Sequence, residues 1–305
     1  MTSEPSPAFT AAVQDVAAAV EAELDRLLPR PEGPTAKLDD AMRYACLGGG
    51  KRLRALLVVA GADLFGVPRE RSLRVAAAVE MLHAYSLVHD DLPCMDDDDL
   101  RRGKPTVHKA YDEATAVLAG DALQTEAFAV LADPATHPDA AIRAELVAGL
   151  ARASGARGMV GGQAIDLAAE TRSAAGQPLS FAEIAHLQSL KTGALIGFSA
   201  EAGPILASAR TIERSALIGY AADIGLAFQI ADDILDEEGS VAELGKAVGK
   251  DQAAGKATFV GLLGLEQAKA KARELTTSAQ ARLAGFGDKA RLLQELAEFV
   301  ITRRS

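Results

Sequence analysis

The stretch HDDLPCMDDDDLRRGKPT (His89–Thr106) has six aspartates among the ten residues from Asp90 to Asp99, and two arginines and a lysine follow at once. Carboxylates this close repel one another when nothing pairs with them, and at the C-terminal end of a helix they also oppose the macrodipole. We therefore expect a folded protein that contains this stretch to supply a partner for these charges.

The first of these aspartates stand at the end of a predicted helix. The run EMLHAYSLVHDD is helical in pattern and should end near Pro93, because proline disfavours a helical conformation in the residue before it. Asp90 and Asp91 are therefore predicted on its last turn. An unbroken helix would turn Asp96 away from them, so we expect a break at Leu92 and Pro93 to fold Asp96 back.

A second acidic cluster lies about 140 residues further along, in QIADDILDEE. Asp232 and Asp236 are spaced i,i+4, and Asp233 and Asp236 are spaced i,i+3, so a helix places all three near one face. The residues before this cluster are apolar enough to form a buried helix. Both clusters are thus predicted to stand where an apolar helix ends.

The alternative interpretation of each cluster is a solvated charge run. Two features weaken it: only Ile and Leu separate the aspartates of the second cluster, and the DD…D form occurs twice. A hard divalent cation relieves carboxylate repulsion. Mg²⁺ usually takes one or two carboxylates together with water and substrate phosphate, so we predict a phosphorylated substrate.

Basic side chains are expected near these clusters. The stretch GGGKRLRALL opens a helix with glycines and then Lys51, Arg52 and Arg54, a pattern that suits an anion at a helix N-terminus. No G-x-x-x-x-G-K-[ST] pattern occurs, so a nucleotide is not indicated. Further cations near predicted loops suggest two diphosphate sites, one bridged by metal and one held mainly by basic groups. These further cations are Arg101, Arg102, Lys191, Lys246 and Lys256.

The composition sets limits on the class of protein. The chain has 305 residues, 49% of them hydrophobic, and a net charge of −10, which argues against a nucleic-acid partner. Its two cysteines, Cys46 and Cys94, are expected to be reduced thiols. The N-terminus has no signal-peptide pattern, and Glu201 and Pro204 interrupt the apolar run 192–209, so we predict a buried helix and a cytoplasmic protein without membrane insertion.

The hydrophobic pattern predicts an all-α protein. We find no alternating strand pattern with hairpin signals and no linker long enough to divide domains, so we expect one large domain over residues 1–305. Helices are predicted over ten ranges: 8–28, 35–47, 51–65, 69–92, 107–132, 139–155, 180–202, 210–238, 258–284 and 288–303.

Several motifs in order resemble those of the trans-isoprenyl diphosphate synthases. DDLPCMDDDDLRRGKPT and DDILD are similar to the two aspartate-rich motifs of that family, and GGGKRLR resembles its basic motif. GDALQTEAF, GGQAID, LKTGALI and LGKAVGKDQAAGKAT also match its pattern in the expected order. The resemblance covers nearly the whole chain. It implies a single all-α helical bundle around a deep central cavity, usually in a homodimer.

The resemblance also implies roles for individual residues. Three Mg²⁺ ions, for which Mn²⁺ substitutes, would clamp the diphosphate of the allylic substrate, and their ligands would be Asp90, Asp91, Asp96, Asp232, Asp233 and Asp236. The rest of that cradle would be Arg101, Lys191, Lys246 and Lys256. Isopentenyl diphosphate, which needs no metal, would bind Lys51, Arg54, His83 and Arg102. Thr192 and Gln229 match positions near the reacting carbons, and Gln163 and Asp166 are expected to line the cavity.

The implied reaction agrees with these residue types. Metal ions and basic groups draw charge from the leaving diphosphate, so that the allylic C–O bond ionises. The isopentenyl double bond then attacks C1 of the cation, and loss of a proton leaves a new trans double bond. The departing diphosphate can accept that proton, so no protein base is required.

Product length is expected to depend on the residues below the first acidic motif. Tyr85 lies five residues before Asp90, about 7.5 Å along the helix. The farnesyl-producing bacterial type of the family has an aromatic residue there, together with four residues between Asp91 and Asp96, as in this chain. With Tyr85 and its neighbour Ser86 as chain-length residues, we predict (2E,6E)-farnesyl diphosphate from dimethylallyl and geranyl diphosphates. Geranylgeranyl diphosphate is the alternative product.

Three other classes of protein were weighed. A terpene cyclase would have Asn, Ser or Thr with Glu in its second metal motif, where this chain has DDILD. A non-catalytic subunit of a heteromeric synthase would normally lack one acidic motif. A di-iron carboxylate bundle would need inward-facing Glu-x-x-His pairs, and we expect none. Two departures from the family pattern, Ala55 in place of proline and Glu237 with Glu238 after DDILD, are expected to leave the reaction unchanged.

Overall fold

The computed structural model describes residues 5–177, 179–238 and 258–303. These residues are almost entirely helical, which confirms the predicted all-α class. The α-helices are α1 (Pro7–Leu27), α2 (Ala36–Cys46), α3 (Leu53–Asp63), α4 (Arg69–Asp90), α5 (Val107–Ala110), α6 (Glu113–Ala132), α7 (Ala140–Ser154), α8 (Met159–Ala174), α9 (Phe181–Gln188), α10 (Ala194–Leu206), α11 (Thr211–Glu238), α12 (Phe259–Leu263), α13 (Leu265–Arg282) and α14 (Arg291–Thr302). Short 3₁₀ helices occupy Gly33–Thr35 and Ala284–Ala290, and a π-helix occupies Ser189–Gly193.

The chain divides into two compact units. The first unit comprises Ala11–Leu150 and Ala202–Ser208, and the second comprises the described parts of Met1–Thr10, Ala151–Glu201 and Ala209–Ser305. The single domain expected from the sequence stays a prediction.

Helix α4 is the centre of the first unit and packs against α3 and α6. Its buried side chains include a run of small residues from Val75 to Val79, which lets the neighbouring helices approach closely. Gly120 on α6 is one such contact, because a Cβ there would lie 2.2 Å from Nε2 of His89. His89 Nε2 is in turn 3.0 Å from the carbonyl oxygen of Val117. Close packing against α6 therefore fixes the end of α4 from which the acidic stretch begins.

The second unit is built around α11, which packs against α13 and α14. Tyr220 on α11 is fully buried, and its hydroxyl donates a hydrogen bond of 2.7 Å to the carbonyl oxygen of Leu293. On the exposed side, Asp223 accepts hydrogen bonds from Ser278 and Arg282, at 2.8 and 2.6 Å. These contacts fix the helix whose last turns bear the second acidic cluster.

Several predicted elements differ from the observed ones for local reasons. Helix α8 was not predicted, because Gly158, Gly161 and Gly162 at its start made the segment look like a loop. The predicted helix 107–132 is two helices, since Asp112 caps α6 through a 2.7 Å hydrogen bond from the Thr115 N–H. The predicted helix 258–284 is interrupted at Gly264, where φ is +77°.

A short hairpin also went unpredicted. Leu100–Arg101 and Lys104–Pro105 form an antiparallel pair, and the turn residues Arg102 and Gly103 have φ of +53° and +74°. Two positive φ values in a two-residue turn match the twist of a tight hairpin. Two residues per strand are too few to show an alternating pattern, so hydrophobic periodicity does not indicate this hairpin.

The apolar run near residue 200 forms α10, and most of its side chains are buried although Pro204 lies inside the helix. Among the described residues, no helix is both long and apolar enough to span a membrane.

Two glycines of α10 make a matched test of the packing. A Cβ on Gly203 would lie 2.3 Å from the backbone nitrogen of Ala62, whereas a Cβ on Gly197 would meet nothing within 4 Å. We expect Gly203→Ala to lower the free energy of unfolding by about 1–3 kcal/mol through overpacking. Gly197→Ala should raise it by about 0.5–1 kcal/mol, because alanine favours a helix interior. Thermal unfolding of both variants checks this, and a Gly203→Ala protein as stable as the unchanged chain would contradict it.

Candidate active site

The backbone folds back after α4 as the sequence predicted. The helix ends at Asp90, with Asp91 as its C-cap. The N–H of Met95 donates to the carbonyl oxygen of Leu92 at 2.8 Å, and the N–H of Asp96 donates to the carbonyl oxygen of Asp90, also at 2.8 Å. The break at Leu92 therefore brings Asp96 beside the last turn of α4.

Asp91 forms an ion pair with Arg101 from the hairpin. Nε of Arg101 donates to both carboxylate oxygens, at 2.8 and 2.9 Å. Asp91 is only 2% exposed. Burial raises the pKa of this carboxyl, and the Arg101 guanidinium opposes the rise. Two residues that were assigned separate roles, a metal ligand and a phosphate contact, are thus hydrogen-bonded partners in the structure.

The remaining aspartates of the stretch belong to a loop that is tied to the chain after the hairpin. The N–H of Thr106 donates to the carbonyl oxygen of Asp99 at 3.0 Å, and its hydroxyl donates to the carbonyl oxygen of Asp98 at 2.9 Å. The Asp99 carboxylate is 2.8 Å from Nζ of Lys109. These bonds close the acidic stretch into a compact loop around the Asp91–Arg101 pair.

Basic groups gather around a cavity beside this pair. Gly48, Gly49, Asp91, Arg101, Arg102 and Lys104 are among its lining residues. Nη1 of Arg102 donates to the carbonyl oxygen of Gly49 at 3.1 Å. Lys51 is exposed at the end of the same glycine run. The first unit thus brings the glycine-rich loop and the cations of the hairpin to one concave surface.

The glycine-rich stretch differs from its predicted form at Arg52. This side chain does not project with Lys51 and Arg54; it is 8% exposed and pairs with Glu80 and Glu21. Helix α3 begins at Leu53, and Arg52, its N-cap, has φ of +48°. Glu80 accepts a hydrogen bond from the backbone N–H of Ala55, so this N–H at the helix start is used within the protein. The anion site expected at this helix start stays a prediction.

His83 lies within this basic group. Its Nε2 is 3.3 Å from Nη1 of Arg54. Burial, together with the guanidinium groups of Arg54, Arg102 and Arg101, holds the pKa of His83 well below its usual range. The imidazole is therefore neutral at pH 7, and a ring nitrogen that faces Arg54 accepts its hydrogen bond.

Tyr85 and Ser86, which are predicted to set the chain length, lie on α4 next to this group. The Tyr85 ring packs edge-on against His89, with 5.0 Å between ring centroids. Burial and the nearby carboxylates of Asp90 and Asp121 raise the pKa of Tyr85. The Ser86 hydroxyl donates to the carbonyl oxygen of His83 at 2.8 Å, so it is used within the helix. Of the two, Tyr85 is the side chain that adds bulk below the aspartates.

The second acidic cluster lies on the last turns of α11, in the second unit. Nη2 of Arg303 donates to Oδ1 of Asp232 at 2.6 Å and the guanidinium stacks 3.7 Å above the Phe228 ring. Oδ2 of Asp233 accepts from the N–H of Phe259 at 2.6 Å. Arg303 is not among the residues predicted from the sequence, because it has no spacing relation to the aspartates; its side chain is only 3% exposed.

Lys191 and Thr192 lie in the π-helix between α9 and α10. Nζ of Lys191 is 2.5 Å from Oδ2 of Asp166 on α8. A Cβ on Gly162 would lie 2.2 Å from the backbone nitrogen of Lys191, so only glycine allows α8 to approach this closely. Gln163 follows it, is 9% exposed, and finds no partner for either amide atom within the described residues.

The predicted ligands are hard oxygen donors, which fit Mg²⁺. Within the described residues no group of three or more His, Cys, Asp or Glu side chains is arranged around one point that could hold a metal. An ion that takes one or two carboxylates and completes its shell with substrate phosphate does not require such a group. Asp91 and Asp232 already have basic partners at hydrogen-bonding distance, which orients their carboxylates.

The sequence was expected to contain no Glu-x-x-His spacing. Two Glu-x-x-His spacings do occur, at Glu80 and Glu183, so the expectation of none is wrong. Glu80 is paired with Arg52, and Glu183 forms a capping box with Ser180, so neither carboxylate is placed for a di-iron site.

Lys246 and Lys256 lie outside the described residues. Gln229 is partly buried on α11, three residues before Asp232.

Comparison with known proteins gives a consistent result. Residues 35–296 match the family model described as polyprenyl synthetase. The farnesyl diphosphate synthase of Escherichia coli (strain K12) is 48% identical over 270 residues, 87% of this chain and 88% of that protein. Geranylgeranyl pyrophosphate synthase 3 of Arabidopsis thaliana is 46% identical over 95% of this chain and 80% of its own. The apo crystal structure of an FPP/GFPP synthase from Zymomonas mobilis has a TM-score of 0.87 and 51% identity over 96% of this chain and 98% of that one.

The neutral state of His83 has a measurable consequence for stability. As the pH falls below about 6.5, the unfolded chain binds a proton at this histidine that the folded protein does not bind. The free energy of unfolding should therefore decrease by up to about 1.4 kcal/mol per pH unit because of this group. Above about pH 6.5 the contribution of the group to stability is fully retained. Urea denaturation between pH 7.5 and 5.5 should show a shallower decrease for His83→Gln than for the unchanged protein.

Nuclear magnetic resonance of the ring protons gives the direct check. His83 should keep the chemical shifts of a neutral imidazole at pH 6, and Arg54→Gln should move its titration to higher pH because Arg54 is the neighbouring cation with the largest effect. A protonated His83 at pH 6 in the unchanged protein would rule this prediction out.

Proposed function

The chain belongs to the polyprenyl synthetase family, and on this basis we propose that it is a prenyltransferase that condenses isopentenyl diphosphate with dimethylallyl and then geranyl diphosphate to give (2E,6E)-farnesyl diphosphate. The relatives that share nearly half of its residues over most of its length include farnesyl diphosphate synthases. The fold agrees, since the structural neighbours are prenyl synthases of the same helical class.

The cavity in the first unit is the observation that carries the proposal. Its lining contains the buried Asp91 with its partner Arg101, part of the glycine-rich loop and further cations. Arg101, Arg102 and Lys104 supply positive charge to its lining. Lys51 is exposed on the glycine-rich segment, and Arg54 pairs with neutral His83 at the start of α3. A diphosphate is the small ligand that needs this density of donors. The cations, rather than the aspartates, are what supports isopentenyl diphosphate as the occupant.

The acidic residues are proposed to serve the other diphosphate. Asp90, Asp91 and Asp96, with Asp232, Asp233 and Asp236, would hold three Mg²⁺ ions, and Mn²⁺ would substitute for them. When bound, these ions supply positive charge to the allylic diphosphate and so weaken its C–O bond. The family model and the relatives support a divalent metal as such; the number of ions is part of the proposal.

The side chains of this chain contribute to each step. Arg101 and Lys191, with Lys246 and Lys256 outside the described residues, would bind the departing diphosphate and stabilise its charge. The hydroxyl of Thr192 and the amide oxygen of Gln229 would orient their dipoles toward the developing allylic cation. The new bond joins C1 of this cation to the isopentenyl double bond, and the proton that is lost passes to the released diphosphate.

Product length is the part of the proposal that rests on one side chain. Tyr85 stands beneath the aspartates and is packed against His89, so its ring is held in place as a floor. Geranylgeranyl diphosphate is the second candidate product. By sequence identity alone, the Arabidopsis geranylgeranyl pyrophosphate synthase supports it as strongly as the bacterial relatives support farnesyl diphosphate. The aromatic residue at position 85 supports the shorter product.

Two further features are proposed on the basis of the resemblance. The protein is expected to be a homodimer, and to work in the cytoplasm. A monomer in light scattering, or a membrane-bound fraction after cell lysis, would contradict these two proposals.

The product assay tests the reaction and the floor together. Purified protein with Mg²⁺, labelled isopentenyl diphosphate and dimethylallyl diphosphate should give mainly a C15 alcohol after dephosphorylation. Tyr85→Ala should shift the products to C20 and longer, whereas Tyr85→Phe, which keeps the ring, should still give C15. Longer products from the unchanged protein would refute the role of Tyr85, and no product at all would refute the synthase proposal.

The second test addresses the acidic residues. Chelation of the metal with EDTA should abolish condensation, and excess Mg²⁺ should restore it. Asp91→Asn should lower kcat by a factor of about 100 or more, since it weakens charge stabilisation at the leaving group. Asp15→Asn is the matched control, because this aspartate pairs with Arg69 on the surface of the first unit. Equal rates for both variants would contradict the assigned role.

A further inference from the structure

Arg52 is a cation of the basic motif that no substrate can reach. Its side chain is buried between the exposed Lys51 and the partly exposed Arg54. Nη1 donates to Oε2 of Glu80 at 3.1 Å, and Nη2 donates to Oε2 of Glu21 at 2.6 Å and to the carbonyl oxygen of Cys46. Its hydrogen bonds therefore go to the protein and not to a ligand.

The same two carboxylates also bind the backbone on either side of Arg52. Oε1 of Glu80 accepts from the N–H of Ala55 at 3.2 Å. Oε1 of Glu21 accepts from the N–H of Gly48. Each glutamate thus holds Arg52 with one oxygen and the main chain with the other. The segment from Gly48 to Ala55 is fixed at both ends by one connected network.

This segment needs such a network because of its backbone conformation. Gly48, Gly49 and Gly50 have φ of +94°, +125° and +111°, and Arg52 has φ of +48°. A non-glycine residue in the left-handed region persists only where the surroundings hold it there. Hydrogen bonds to three partners hold the Arg52 side chain, and they set the direction in which α3 starts.

The position of this segment determines where the reachable cations stand. Arg102 donates to the carbonyl oxygen of Gly49 at 3.1 Å, and a Cβ on Gly50 would lie 2.5 Å from Nη1 of Arg102. Arg54 lies in the first turn of α3 and contacts His83. A displacement of the segment would therefore move the groups assigned to isopentenyl diphosphate together. None of the hydrogen bonds that hold the segment involves Asp91 or Arg101.

We infer that Arg52, Glu80 and Glu21 are positioning residues that set the affinity for isopentenyl diphosphate and leave the allylic substrate unaffected. The inference rests on the proposed function, because it assigns this cavity to that substrate. Glu21→Gln and Glu80→Gln each remove the charge of one carboxylate of the network while keeping the size of the side chain, so each weakens the hold on Arg52.

The experiment compares Glu80→Gln, Arg52→Lys and Glu21→Gln with the matched control Arg74→Lys. Arg74 is also a buried arginine of the first unit, and it lies on α4 as Glu80 does, but it pairs with Thr136 and Asp133. In the network variants we expect KM for isopentenyl diphosphate to rise at least tenfold, while KM for dimethylallyl diphosphate and kcat change by less than threefold. Arg74→Lys should leave both KM values unchanged.

Calorimetric titration of each protein with isopentenyl diphosphate alone, without Mg²⁺, gives a second readout, and Kd should rise by the same factor. Unchanged Kd and KM in Glu21→Gln and Arg52→Lys would overturn the inference, as would equal losses for both substrates or equal losses in Arg74→Lys. If Glu80→Gln does not fold, the other two variants decide. An unchanged protein that gives no condensation product would instead overturn the proposed function.

Discussion

The first acidic cluster depends on the ion pair between buried Asp91 and Arg101. A buried carboxylate without a partner is costly, and removing one member of a buried pair typically costs about 3–5 kcal/mol. Arg101 reaches Asp91 because it lies on a two-residue strand whose turn places Arg102 on the opposite side, against Gly49. One ion pair therefore positions both the acidic loop and the cations that face the glycine-rich segment.

The same principle recurs in the second unit with different partners. Arg303 donates a hydrogen bond to Asp232, and its guanidinium stacks over the Phe228 ring. Asp233 accepts a hydrogen bond from the backbone N–H of Phe259. In both units a hydrogen-bond donor fixes a carboxylate that the family pattern assigns to metal. Outer groups of this kind set the orientation of ligands and their basicity, so their loss affects a metal site although they never touch the ion.

The sequence predicted the parts of the site that depend on local chemistry. The end of α4 at the aspartates and the return of Asp96 were predicted from the break at Leu92 and Pro93, and both are observed. The partners of Arg52 could not be predicted. In the sequence Arg52 looks the same as Lys51, and its partners Glu21 and Glu80 lie 31 and 28 residues away, on different helices. Which of several adjacent cations is buried depends on tertiary packing that no spacing rule contains.

The π-helix at Lys191 shows the same limit within an element that was correctly predicted. The range 180–202 was predicted as one helix, and it is helical throughout, yet the i,i+5 hydrogen bonding over Ser189–Gly193 changes the direction of the side chains that follow. Gly162 lets the backbone of α8 approach that segment, and Asp166, one turn later, binds Nζ of Lys191. The spacing GGQAID thus has a physical reason: the glycine admits the lysine backbone and the aspartate fixes its ammonium group. Hydrophobic periodicity finds the helix but not this local change in pitch, so the orientation of Lys191 and Thr192 follows from the contact with α8.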